Sequence, residues 1–246
     1  MIIWDVYGCY YKSRTPNTAR IHPISDVIPW NLNRVRMFLD YLIPNSSYEK
    51  WKELAFPFLI YHNRWNDLDK ENFNRGPCVT KGGTVTFETV SSQEPPEYES
   101  TSSLQPLFLE YLEKVIALCQ QKGVELILCA IPMADYEKYA FQRGRMRYFM
   151  EYGEKYGAKV LDFQTMTEEI GIDFATDFMN ASHLNVNGSY KLTEYIGKYL
   201  KEQYQLPDHR GEELYEQWDV LLLDYWSLYQ QKLNARNKED DDDGLE

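Results

Sequence analysis

The sequence has little cysteine, a deficit of positive charge and no long apolar run, and each shortage removes a class of function. Its four cysteines, Cys9, Cys78, Cys119 and Cys129, are widely spaced and form no C-x-x-C pair, so neither a zinc site nor a redox motif is indicated. Cys119 and Cys129 lie in apolar segments and read as small buried hydrophobes. Lys and Arg together number 26 against 38 Asp and Glu. No basic stripe stands out, which argues against a nucleic-acid partner, because phosphate binding needs clustered cations. The longest apolar runs, such as Val124 to Met133, are far too short to span a bilayer, and nothing at Met1 reads as a signal peptide. A Gly-rich phosphate loop is also lacking: Lys81-Gly82-Gly83 is short and precedes a strand-like run.

What is present is the composition of a folded, acidic protein. Hydrophobic residues make up 43% and aromatics 15%, with 20 Tyr, too apolar for a disordered chain despite a formal charge of −12. A chain of 246 residues can bury a full core, and the expectation is a single domain over residues 1–233. The acidic run Glu239 to Asp243 assigns residues 234–246 to a solvated, disordered tail.

Along the chain, Ile2 to Gly8 reads as a short strand closed by Gly. Residues 10–31 carry Pro16, Pro23 and Pro29 and suit a surface loop, and Val27 to Leu42 turns helical up to Pro44-Asn45. An aromatic cluster around Pro57 leads into Tyr61-His62-Asn63-Arg64-Trp65, a group of hydrogen-bonding residues beside an aromatic ring. Residues 69–100 are the least regular and read as an insertion, with Thr84 to Val90 alternating as one exposed strand or half a hairpin.

From Ser102 an α/β pattern sets in. A helix capped by Ser102 or Ser103 ends at Gly123, and Val124 to Ile131 is a nearly continuous apolar run, as in a strand buried on both faces of a parallel sheet. A second helix over about 136–156 and a short strand, Ala158 to Phe163, follow. Alternating helix and buried strand calls for a doubly wound sheet, with ligands beyond the carboxyl ends of the strands. Residues 212–233 carry an apolar stripe at helical spacing, read as a packing helix at the domain edge or, alternatively, as a partner-binding helix.

The stretch with chemical content is Asp177-Phe-Met-Asn180-Ala-Ser-His183-Leu-Asn185-Val-Asn-Gly188, set before an amphipathic helix whose face includes Leu192, Ile196 and Leu200. A loop held by a scaffold while its acid and imidazole stay reachable is a common place for catalytic groups. The alternative is a capping or surface histidine.

The order helix, Gly123, buried strand ending in Ile131-Pro132, helix, Gly157, short strand, then Asp177 and His183-Leu-Asn-x-x-Gly188 resembles the C-terminal half of SGNH/GDSL hydrolases. In particular it looks like the bacterial branch related to D-alanine-transfer proteins of lipoteichoic acid and to alginate O-acetyltransferases. The resemblance implies a flavodoxin-like three-layer α/β/α sandwich that cleaves or transfers acyl esters with Ser, His and Asp and without metal or cofactor. It implies a small-molecule ester or acylated carbohydrate as substrate, and work outside or at the membrane. His183 would be the base. The family commonly has its acid three residues before the histidine, where this chain has Asn180, so Asp177 is the expected orienting acid. Asn180, Asn185, His62, Arg64 and Trp65 are the expected substrate-binding residues. The family's serine lies in a Gly-Asp-Ser-like turn after the first strand, and no serine here has that context. Ser13, Ser25, Ser46, Ser47, Ser91 and Ser92 all lie in polar loops. The first strand and its nucleophile are therefore expected to be missing. A non-catalytic carbohydrate- or partner-binding descendant of the fold is the alternative.

Overall fold

The structure, a computed structural model, describes residues 1–10, 28–45, 48–56, 67, 79–80, 83–101, 104–136 and 140–243. The chain divides into two compact units, residues 12–76 and the remainder (1–11 with 77–246).

In the smaller unit, Asn31 starts a helix by accepting from the N–H groups of Asn33 and Arg34, so the helix begins at α1 (Leu32–Arg36) and not at Val27. It continues through a π-helical stretch, Met37–Leu42, and a last turn, Ile43–Asn45. A second helix, α2 (Tyr48–Ala55), packs Leu54 against Phe38. Trp30 stacks on Phe38 at 5.6 Å, and the Arg34 guanidinium lies 4.3 Å from the Trp30 ring centre.

The larger unit is mixed α/β. Among the described residues its sheet has three parallel strands in the order β1 (Ile2–Asp5), β2 (Leu126–Ala130), β3 (Lys159–Asp162). Ile2 pairs with Leu126 and Leu128 with Val160. All five β2 residues are buried, as the continuous apolar run requires of a central strand. Alternate β2 side chains serve opposite faces. Leu126, Leu128 and Ala130 join the core made with α3 (Pro106–Gln121) and α4 (Ala140–Lys155), while Cys129 joins Phe163 of the turn after β3, Ile170 of α5 (Thr167–Ile170) and Leu192 of α6 (Val186–Gln203). The sheet is thus covered on both faces. The strand read at Ile2 to Gly8 forms over Ile2–Asp5 and, among the described residues, pairs only with β2, leaving Ile2 and Ile3 exposed.

Three expectations shift. Helix α3 starts at Pro106, whose fixed φ suits a first helical position, and the Gln105 side chain does not cap it; Ser102 and Ser103 lie outside the described residues. Gly123, at φ 64°, lets the chain turn from α3 into β2. Thr84 to Val90 forms no strand. Residues 83–101 instead make an extended strap whose groups bond to scattered partners: Val186 N–H to Thr86 O, Val90 N–H to Phe178 O, Ser92 N–H to Phe174 O, and Asp135 N–H to Gln93 O, all at 2.8–2.9 Å. The C-terminal helix, α7, runs Glu216–Asp243 after a 3-10 turn at Glu213–Tyr215, so helix continues through the acidic run.

Candidate active site

The carboxyl ends of β1 and β2 open into a crevice of about 380 Å³. Asp5 ends β1, Ile131 and Met133 follow β2, and all three line the crevice with Tyr7 and Leu192. His183 reaches it on a hairpin. β4 (Phe178–Asn180) runs antiparallel to β5 (His183–Leu184), and the two-residue turn Ala181-Ser182 sets Asn180 opposite His183.

Hydrogen bonding decides which ring nitrogen carries the proton when the imidazole is neutral. Asn180 Oδ1 accepts from the Ser182 backbone N–H at 3.0 Å and from the Ser182 hydroxyl at 3.2 Å. A backbone N–H only donates, so the amide atom at this position is the oxygen. The same Oδ1 lies 2.9 Å from His183 Nδ1, which must therefore carry the proton; Ser182 Oγ, at 3.0 Å, takes part as a second acceptor. That leaves the Nε2 lone pair free to act as a base. The Tyr7 ring sits 6.2 Å from the imidazole centre.

Asp177 does not hold His183. It is buried, 1% exposed, and its carboxylate accepts from Lys191 Nζ at 2.6 Å, from the Asp173 N–H at 2.8 Å and from Thr176 Oγ1 at 3.2 Å. Its work is to tie the start of α6 to the preceding loop. The orienting role assigned to it passes to Asn180, because a two-residue hairpin turn brings residues three apart into register. Asn185 is likewise structural. Also 1% exposed, it caps α6 by accepting from the Asn187 and Gly188 N–H groups and donates to Thr176 O, Glu88 O and Thr89 Oγ1. A side chain with all its capacity spent internally has none left for substrate. Gly188 belongs to the first turn of α6 and is no preceding turn residue.

His62, Arg64 and Trp65 lie outside the described residues, as do Ser13, Ser25, Ser46 and Ser47. Ser92 donates its hydroxyl to Val90 O. Ser182 sits on the Nδ1 side of the imidazole, whereas a nucleophilic serine must meet Nε2, so Ser182 positions the ring.

Sequence reasoning passed over Asp5, which lines the crevice at the end of β1. Burial raises its carboxyl above the ordinary value, opposed by the N–H groups of Tyr7 and Ile131 that donate to it. The signal available was a lone carboxylate at the end of an apolar strand. Burial, with the Asp5 charge second, pushes the Cys9 thiol up to about 12, and burial does the same to Cys129.

Among the described residues no group of three or more His, Cys, Asp or Glu could hold a metal ion, and no helix is long and apolar enough to cross a membrane. Comparison of the chain with protein-family models, curated proteins and solved structures found no match.

Proposed function

We propose that this chain is an SGNH-like esterase or acyltransferase domain acting on acylated carbohydrate or cell-wall polymer, built on a flavodoxin-like sandwich, with His183 as its general base. The observation that carries the reading is the Asn180–His183 pair at 2.9 Å, which fixes the Nδ1–H tautomer beside a crevice at the carboxyl ends of a parallel sheet. Nε2 then accepts the proton of an attacking hydroxyl as its oxygen bonds to the acyl carbon, and returns that proton to the leaving alkoxide. Asn180 holds the imidazole in the required tautomer but supplies no charge to stabilise imidazolium as a triad carboxylate does.

A second reading is a non-catalytic binding domain. It is favoured by the uncharged holder of His183 and by the lack, among the described residues, of a serine bonded to Nε2. Hydrolysis of p-nitrophenyl acetate by the chain and by His183→Ala and Asn180→Asp, with fluorophosphonate labelling, separates the two. The esterase reading expects turnover that is lost in His183→Ala and raised in Asn180→Asp. Absence of turnover and label in all three proteins would leave the binding reading.

A further inference from the structure

A second and larger cavity, about 700 Å³, lies between the first turns of α6 and the middle of α7. Its walls combine two kinds of side chain. From α7 come Tyr225, Trp226 and Tyr229, with Trp226 held edge-on by both tyrosines at 5.5 Å and still 44% exposed. From α6 come Asn187, Ser189 and Thr193, which offer amide and hydroxyl groups. Among the described residues, the only charged ones on the wall are Asp177 and Lys191, and they neutralise each other at 2.6 Å. Such a wall has no spare cation for a phosphate or carboxylate and no spare carboxylate for an amine. It suits a ligand with apolar C–H faces and many neutral hydroxyls, which is the surface of a pyranose ring. The volume falls in the range of ordinary small-molecule sites.

Ser189 and Thr193 line this cavity and the His183 crevice alike. They stand one helical turn apart on α6, so the two spaces adjoin along a single row of side chains. We infer that the Trp226 cavity is a subsite for a neutral glycosyl unit, which leaves an acyl group on that unit or its neighbour at the His183 crevice. Only the placement of the acyl group rests on the ester reading; the sugar subsite stands on its own walls.

The test is binding of the full chain to xylotetraose, acetylated xylotetraose, cellotetraose and chitotetraose, with tetragalacturonate as the anionic control, by isothermal titration. The expected result is binding to at least one neutral oligomer. Trp226→Ala should weaken it about tenfold or more, and Trp226→Phe should largely retain it. Asn187→Ala, at an exposed position, should weaken it a few-fold and keeps the test decisive if Trp226→Ala does not fold. No binding to any neutral oligomer, preference for tetragalacturonate, or affinity indifferent to both Trp226→Ala and Asn187→Ala would overturn the subsite. Trp226-dependent binding without ester turnover would defeat the ester reading alone, and turnover without Trp226-dependent binding would defeat the subsite alone.

Discussion

Helix α6 contains a matched pair of glycines that tests how His183 is held in place. A Cβ on Gly188 would meet Asp177 O at 2.5 Å, Leu184 Cδ2 at 2.9 Å and Asp177 Cβ at 3.0 Å, whereas one on Gly197 would meet nothing within 4 Å. Helix propensity alone favours Ala over Gly at both by about 1 kcal/mol. At Gly188 the new methyl stands about 0.9 Å inside ordinary contact with a backbone oxygen. That oxygen also accepts the Asn185 N–H at 2.9 Å, so it cannot retreat without loosening the cap of α6. Overpacking of this kind costs roughly 1–3 kcal/mol, and loss of the backbone bond adds about 1. The net for Gly188→Ala is a loss of about 1–3 kcal/mol, while Gly197→Ala gains up to about 1. Urea unfolding followed by far-UV circular dichroism measures both. Because Leu184 follows His183, Gly188→Ala should also broaden the His183 imidazole resonances in NMR, which Gly197→Ala leaves alone. Gly188→Ala as stable as Gly197→Ala would refute the close-packed hairpin and the placement of His183 with it.

Three further outcomes follow from the same contacts. Asp177→Ala strands the Asp173 N–H and releases Lys191, whose side chain is 36% exposed, so the loss should be about 2 kcal/mol and not the full cost of a buried pair; if His183-dependent turnover falls without any loss of stability, the structural assignment of Asp177 is wrong. Burial raises the Asp5 carboxyl, so the folded state holds that proton more tightly than the unfolded chain. Stability from Asp5 is then fully present below the ordinary carboxylate pKa and is lost as pH rises through the raised value. Asp5→Asn should accordingly be more stable than the parent at pH 7, with the gap closing towards pH 4, as thermal melts across that range would show; a gap constant with pH would contradict the burial argument. Cys9 and Cys129, buried and pushed up to about 12, should resist iodoacetamide at pH 8 in the native state and react on unfolding, as peptide mapping reads.

The parts of this fold that sequence makes legible are those set by one-dimensional pattern. Val124 to Ile131 is apolar at almost every position because β2 is buried on both faces, and Leu192 to Leu200 keeps a helical face because α6 packs on the sheet. Legibility ends where contacts depend on a turn. Asp177 looks the better acid in chemistry, yet the turn at Ala181-Ser182 decides in favour of Asn180. The alternation from Thr84 to Val90 is real but serves no ladder. Val85 is buried and Phe87 meets Tyr229 edge-on at 5.0 Å, while the backbone polar groups bond to loops and a helix start. Period two marks an extended chain with two faces, and a strap has that as surely as a strand does.

That strap has a consequence for how the molecule is made. Asn185 reaches back 97 residues to Glu88 O, and Lys232 Nζ reaches back 147 residues to Val85 O at 2.7 Å. During synthesis Thr84 to Val90 leaves the ribosome long before either partner exists. A β-prone, weakly charged heptad then waits with its backbone unpaired, the condition under which chains adhere to one another. The expected signature is slow closure, since contacts so distant along the chain form late. Yield of the full chain should therefore rise when translation is slowed or holding chaperones are abundant, and mutations that spare the native structure but raise the hydrophobicity of this heptad should lower soluble yield without lowering the stability of what folds.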